Sequence, residues 1–114
     1  MLMTNMTFTK GIGSPTYMAP EILTKDHYKM PADIYSFAVT MYEVFNWTNA
    51  YPKVQFKFPW KIAEFVVDGK RLPLIYLQDD LAEIIKNSWK QNPYERLSIS
   101  TIVNLLEQSY NQQN

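Results

Sequence analysis

The sequence predicts a small all-α fold of about five helices. Prolines stand where helices begin, at Pro20, Pro31 and Pro59, the position where a fixed φ and a missing N–H do least harm. Apolar residues recur at three- and four-residue spacing over most of the chain, and no stretch alternates cleanly enough to form a strand. With 114 residues, 46% hydrophobic and 15% aromatic, the chain is long enough for one core.

Residues 1–18 are polar and interrupted by Gly11, Gly13 and Pro15, which predicts an irregular segment. A short helix follows Pro20 and ends near Thr24. A second begins at Pro31, with Ile34, Phe37, Met41, Val44 and Phe45 as its stripe, widened by Ala38 and Tyr42. A helix apolar over so much of its circumference belongs deep in the core. Residues 46–58 read as an aromatic-rich loop. Pro59 opens the third helix and Gly69 stops it. After the break at Pro73, Asp79 or Asp80 caps a fourth helix, and Glu83 is spaced to complete a capping box on Asp80. Leu81, Ile84, Ile85 and Trp89 form its buried face. Ser98 caps the last helix, whose stripe is Ile99, Ile102, Val103 and Leu106.

Eleven basic residues balance eleven acidic ones, which argues against a nucleic-acid or anionic-membrane surface. The absence of cysteine excludes disulfides, thiol catalysis and cysteine-ligated zinc, and the single histidine, His27, excludes a His-pair metal site. No acidic cluster suggests magnesium or calcium. No apolar run reaches the ~20 residues that span a bilayer, and Met1 to Lys10 lacks the features of a signal peptide.

Four motifs carry a resemblance. Gly13-Ser14-Pro15-Thr16-Tyr17-Met18-Ala19-Pro20-Glu21 resembles the end of a protein-kinase activation segment, closing in A-P-E. Asp33-Ile34-Tyr35-Ser36-Phe37-Ala38 is similar to the D-x-W/Y-S-F-G opening of the family's long central helix. Gly69-Lys70-Arg71-Leu72-Pro73 is similar to a G-x-R-x-P turn, and Trp89-Lys90-Gln91-Asn92-Pro93-Tyr94-Glu95-Arg96 to W-x-x-x-P-x-x-R. They occur in the family's order over roughly residues 7–110. The chain thus resembles the second half of a kinase C-terminal lobe, of the tyrosine-kinase-like Ser/Thr class. Ala38 in place of the usual glycine, and Leu97 in place of a common proline, mark a divergent member.

The resemblance implies a division into a partial activation segment (1–18), a helical bundle (19–110) and a tail (111–114). It implies that Ser14, Tyr17 and Met18 belong to a substrate-positioning loop, and that Ala19, Pro20, Glu21, Asp33 and Arg96 are structural. Glu21 is expected to pair with Arg96, whose planar fork suits a carboxylate; spacing alone would leave them as unrelated surface charges. Asp33 is either the buried acceptor of catalytic-loop N–H groups or a hydrated charge at a helix start. Ser14 is either a positioning hydroxyl or a turn serine before Pro15. Thr4, Thr7 and Thr9 lie where activation loops are phosphorylated.

Phosphoryl transfer needs bound ATP, carboxylate-held metal and a base near the hydroxyl. None is in the sequence. Gly11-Ile12-Gly13-Ser14-Pro15-Thr16 lacks the third glycine of a nucleotide loop, there is no V-A-I-K, His27 is followed by Tyr28-Lys29 rather than Arg-Asp, and Asp68-Gly69 has no D-F-G phenylalanine. No catalytic, cofactor or metal residue is therefore expected here; ATP and magnesium belong to a complete kinase domain. The resemblance implies a part of a Ser/Thr kinase, non-catalytic in isolation, with a preceding kinase portion. The alternative is an interaction or decoy module built from half a lobe. Partners are expected to be protein substrates or regulators, with no nucleic acid and no membrane contact, in the cytoplasm or the cytoplasmic part of a larger protein. A chain that begins inside an activation loop is expected to come from a truncated gene model or a pseudogene rather than to be a dedicated small protein.

Overall fold

A computed structural model describes residues 15–24, 30–52 and 54–113. Five α-helices follow in order: α1 (Pro20–Leu23), α2 (Met30–Asn46), α3 (Pro59–Val67), α4 (Asp79–Ser88) and α5 (Ile99–Gln113). Two 3-10 turns, Pro15–Tyr17 and Pro93–Glu95, punctuate them, and no strand occurs among the described residues. The all-α class is as the sequence predicts, although the first 3-10 turn puts regular structure where an irregular segment is expected.

The proline starts hold at α1 and α3, where Pro20 and Pro59 occupy the first turn behind an extended residue. Helix α2 starts one residue before Pro31. Gly69 ends α3 with φ of +91°. The N–H of Lys70 reaches the Phe65 carbonyl and that of Gly69 the Val66 carbonyl, each at 3.0 Å, a Schellman closure that requires a left-handed residue. At α5 the expected cap is present: Ser98 Oγ accepts from the Thr101 N–H at 3.2 Å.

The cap expected at α4 is absent. Gln78 is the N-cap, with no side-chain cap bond, and Asp79 and Asp80 lie inside the first turn. Asp80 accepts from the Leu81 N–H through Oδ1 at 2.9 Å, and its Oδ2 accepts from the Ser109 hydroxyl on α5. Glu83 instead accepts from the Asn87 side chain. The capping box fails because tertiary structure claims the Asp80 carboxylate. Both aspartates still complement the positive end of the helix.

Helix α2 is central. It packs against α4, the first 3-10 turn and the second, while α4 packs on α5 and α1 on α3. Its buried face is Ala32, Ile34, Tyr35, Ala38, Val39, Met41 and Tyr42. Phe37, Val44 and Phe45, expected inside, are exposed. Ile34, Ala38, Met41 and Tyr42 are buried as expected; a helix apolar on most of its circumference offers little contrast between faces, so the expected stripe is wider than the buried one. Likewise on α5, Ile102 is buried and Leu106 packs on the core, but Ile99 and Val103 are exposed and Ser109 points inward. On the α4 face Ile84, Ile85 and Trp89 are buried as expected, while Leu81 is only half-buried. Helix α5 runs to Gln113, past residue 110 where a tail is expected.

Candidate functional site

The segment from Pro15 to Thr24 lies on α2 and α3 and is fastened at both ends. At its start, the Ser36 hydroxyl on α2 donates to the Tyr17 carbonyl at 2.6 Å. One helical turn earlier, the same hydroxyl also reaches the Ala32 carbonyl. The Tyr17 hydroxyl donates to Glu43 Oε1 at 2.5 Å, and Glu43 Oε2 accepts from the Ala50 N–H at 2.8 Å. One carboxylate thus holds both this segment and the loop after α2. The bond to Glu43 raises the Tyr17 pKa, with burial and the Glu43 charge adding to it.

At the other end, Glu21 and Arg96, 75 residues apart, meet in a bidentate pair. Arg96 Nη1 and Nη2 donate to Glu21 Oε2 and Oε1, each at 2.8 Å. The Arg96 side chain is fully buried and that of Glu21 is 15% exposed. Arg96 also donates to the Pro31 and Lys90 carbonyls, both at 2.8 Å. Its guanidinium lies 5.2 Å from the centre of the Tyr35 ring, within cation–π reach. Every face of this buried charge is therefore answered.

A second guanidinium sits over the same ring. Arg71 lies 5.1 Å from the Tyr35 centroid. It donates to the carbonyls of Trp89, Val66 and Lys70 and to Gln91 Oε1. Burial lowers its pKa from the ordinary arginine value, yet arginine stays charged at any physiological pH. In the sequence Arg71 is marked only by its place in the Gly69–Pro73 motif; its planar fork, which ties the turn after α3 to the end of α4, is the chemical signal of its role. Tyr35 and Tyr51 complete the cluster. Both are buried, their hydroxyls have no partner at hydrogen-bond geometry among the described residues, and burial raises both pKa values.

Tyr17, Met18, Ala19, Pro20, Glu21 and Arg96 are thus brought into one assembly. Asp33 is not: it is exposed in the first turn of α2. Ser14, Thr4, Thr7 and Thr9 lie outside the described residues. Among the described residues, no group of three or more His, Cys, Asp or Glu side chains could hold a metal, and no helix is long and apolar enough to cross a membrane.

The fastened segment, the central α2 and the buried Glu–Arg tie define a piece of a kinase-type helical lobe, and comparison with known proteins gives the same class. Residues 4–106 match the sequence model of the protein tyrosine and serine/threonine kinase family, and the chain belongs to that family. It is 35% identical over 100 residues to the RGS domain-containing serine/threonine-protein kinase A of Dictyostelium discoideum, covering 87% of this chain and 9% of that protein. The dual specificity protein kinase shkB of the same organism is 33% identical over 92 residues, 79% of this chain and 14% of its own length. The serine/threonine/tyrosine-protein kinase HT1 of Arabidopsis thaliana is 33% identical over 98 residues, 84% of this chain and 24% of its own. The chain spans less than a quarter of the length of each of these relatives.

Proposed function

We propose that this chain is the substrate-side scaffold of a protein Ser/Thr kinase domain, one that transfers the γ-phosphate of ATP to protein hydroxyls in the cytoplasm. The match of residues 4–106 to the kinase family carries this reading. The residues present do not fit ATP or magnesium: the sequence has no nucleotide loop, catalytic base or metal-binding D-F-G. The chemistry then belongs to a preceding kinase portion, and these 114 residues position the substrate. Glu43 and Ser36 fix the Tyr17 backbone and ring, and the Glu21–Arg96 pair fixes the far end. A loop held at both ends presents one shape to a protein substrate, and such preorganisation is where phosphoryl-transfer enzymes gain much of their rate.

The test has two arms. The purified 114-residue chain, incubated with ATP and a generic Ser/Thr protein substrate, is expected to give no transfer. The transcript is then mapped across Met1, and the longest in-frame product is expected to transfer phosphate. Turnover by the short chain, or none by the long product, overturns the proposal.

A further inference from the structure

Arg71 and Arg96 grip successive residues in alternation. Arg71 Nε donates to the Trp89 carbonyl and Nη2 to Gln91 Oε1, each at 2.8 Å. Between these two, the Lys90 carbonyl accepts from Arg96 Nε at 2.8 Å. The guanidiniums also share the Tyr35 ring, at 5.1 and 5.2 Å from its centre, and that ring is fully buried. Arg71 is anchored in turn on the end of α3, where Nη1 reaches the Val66 and Lys70 carbonyls at 3.2 and 2.7 Å. Gln91 Nε2 adds a bond of 3.1 Å to the Val67 carbonyl. Among the described residues no carboxylate lies within ion-pair distance of Arg71. A half-buried guanidinium without a counter-ion forgoes the attraction that would offset its desolvation. Its rigid fork of donors is spent on holding backbone and one amide.

We propose that Arg71 is a positioning residue for the segment Pro15–Thr24. Its hydrogen bonds run to α3, the turn after it and the end of α4, and it acts on the segment through Arg96. It holds the Lys90 carbonyl through both neighbours of that residue, and it holds the ring on which Arg96 rests. Together these set the direction in which the buried Arg96 fork points. A bidentate pair is geometrically specific, so the aim of Arg96 decides where Glu21, and with it α1, comes to rest. The end of α3 is thereby coupled to the segment through groups in direct contact. That the positioned segment receives substrate rests on the kinase reading above.

The test uses the full chain without ATP, so its failure leaves the kinase reading to be judged by phosphate transfer. The readout is amide hydrogen exchange, followed by NMR, at Ile22, Leu23 and Thr24, whose N–H groups bond to the Ala19 and Pro20 carbonyls. Ile102, whose N–H bonds to the Ser98 carbonyl at the start of α5, is the reference, since a general loss of stability speeds both sites alike. Arg71→Met is expected to speed the α1 amides about tenfold over the reference. Arg71→Lys keeps the charge without the planar fork and is expected to speed them about fivefold. Gln91→Ala, at an exposed residue, is expected to give about threefold. In a chain that already carries Glu21→Gln, each of these changes is expected to add less than about twofold, because both positions then lie on one broken path. Circular dichroism checks each fold, and if Arg71→Met does not fold, Arg71→Lys and Gln91→Ala carry the comparison. Equal acceleration of the α1 and α5 amides, unchanged α1 amides, or the same factor with and without Glu21→Gln overturns the proposal.

Discussion

Replacing Glu21 by Gln tests how much of the fold depends on the tie to Arg96. The substitution keeps the side chain's size and one acceptor oxygen, and removes the charge. Arg96 retains the Pro31 and Lys90 carbonyls and the Tyr35 ring, so its loss is partial. One charge-assisted hydrogen bond is weakened and one is lost, a cost of about 2 kcal/mol. Unfolding entropy of about 2.1 cal/mol/K per residue gives this 114-residue chain a slope near 0.24 kcal/mol per degree. The expected fall in Tm is then about 8 °C. Glu21→Ala leaves the fully buried guanidinium without a carboxylate and is expected to cost about 3–5 kcal/mol. Thermal unfolding followed by circular dichroism reads both. The combined change Glu21→Leu with Arg96→Met is expected to cost less than Glu21→Ala, because no buried charge is left unpaired. A Glu21→Gln chain melting within about 1 °C of the parent would refute the argument, showing that the pair is exposed to water in solution.

Other expectations follow from the same geometry. Ser109→Ala removes the donor to Asp80 on the neighbouring helix and is expected to cost about 1–3 kcal/mol in urea unfolding; an unchanged midpoint would mean the clasp does not form. At Gly69 an added Cβ meets nothing within 4 Å, so Gly69→Ala is expected to cost only the left-handed backbone strain, about 1–2 kcal/mol, and Gly69→Asn less. Tyr35 and Tyr51 have pKa values raised above the ordinary 10.0 by burial. The folded chain therefore keeps protons that the unfolded chain loses above that pH. Their stabilisation is full below the unfolded value of 10.0 and drains as pH rises through and beyond it, so urea midpoints are expected to fall progressively above about pH 10. Tyr51→Phe is expected to make that fall shallower, and an identical slope would remove the assignment.

Punctuation was the legible part of this sequence. Pro20, Pro59, Gly69 and Ser98 act through their own backbone or the next turn, so local chemistry places them. The facing of α2 was legible only in part: Ile34, Ala38, Met41 and Tyr42 are buried as expected, but Phe37, Val44 and Phe45 are equally apolar and lie outside. Nor was the inward turn of Ser109, a polar residue whose partner Asp80 lies on another helix and is defined only once the two pack. The Glu21–Arg96 pair shows the opposite limit. Spacing alone said nothing about two charges 75 residues apart; the four ordered motifs supplied the register that brought them together. Arg71 was in view within one of those motifs, but its partners are mostly backbone carbonyls, and no sequence pattern names a carbonyl.

The separation of Glu21 from Arg96 also orders events in time. During synthesis, Glu21 emerges long before its partner, and the helix it belongs to has only four residues, too few to persist alone. Segments α2, α3 and α4 can assemble locally while that end waits, hydrated and loose. The Glu21 end of the segment proposed to position substrate is thus locked only after the polypeptide has passed Arg96, although its Tyr17 end can already rest on Ser36 and Glu43. A ribosome stalled before that point would hold a bundle with its working edge still open, a ready client for a chaperone.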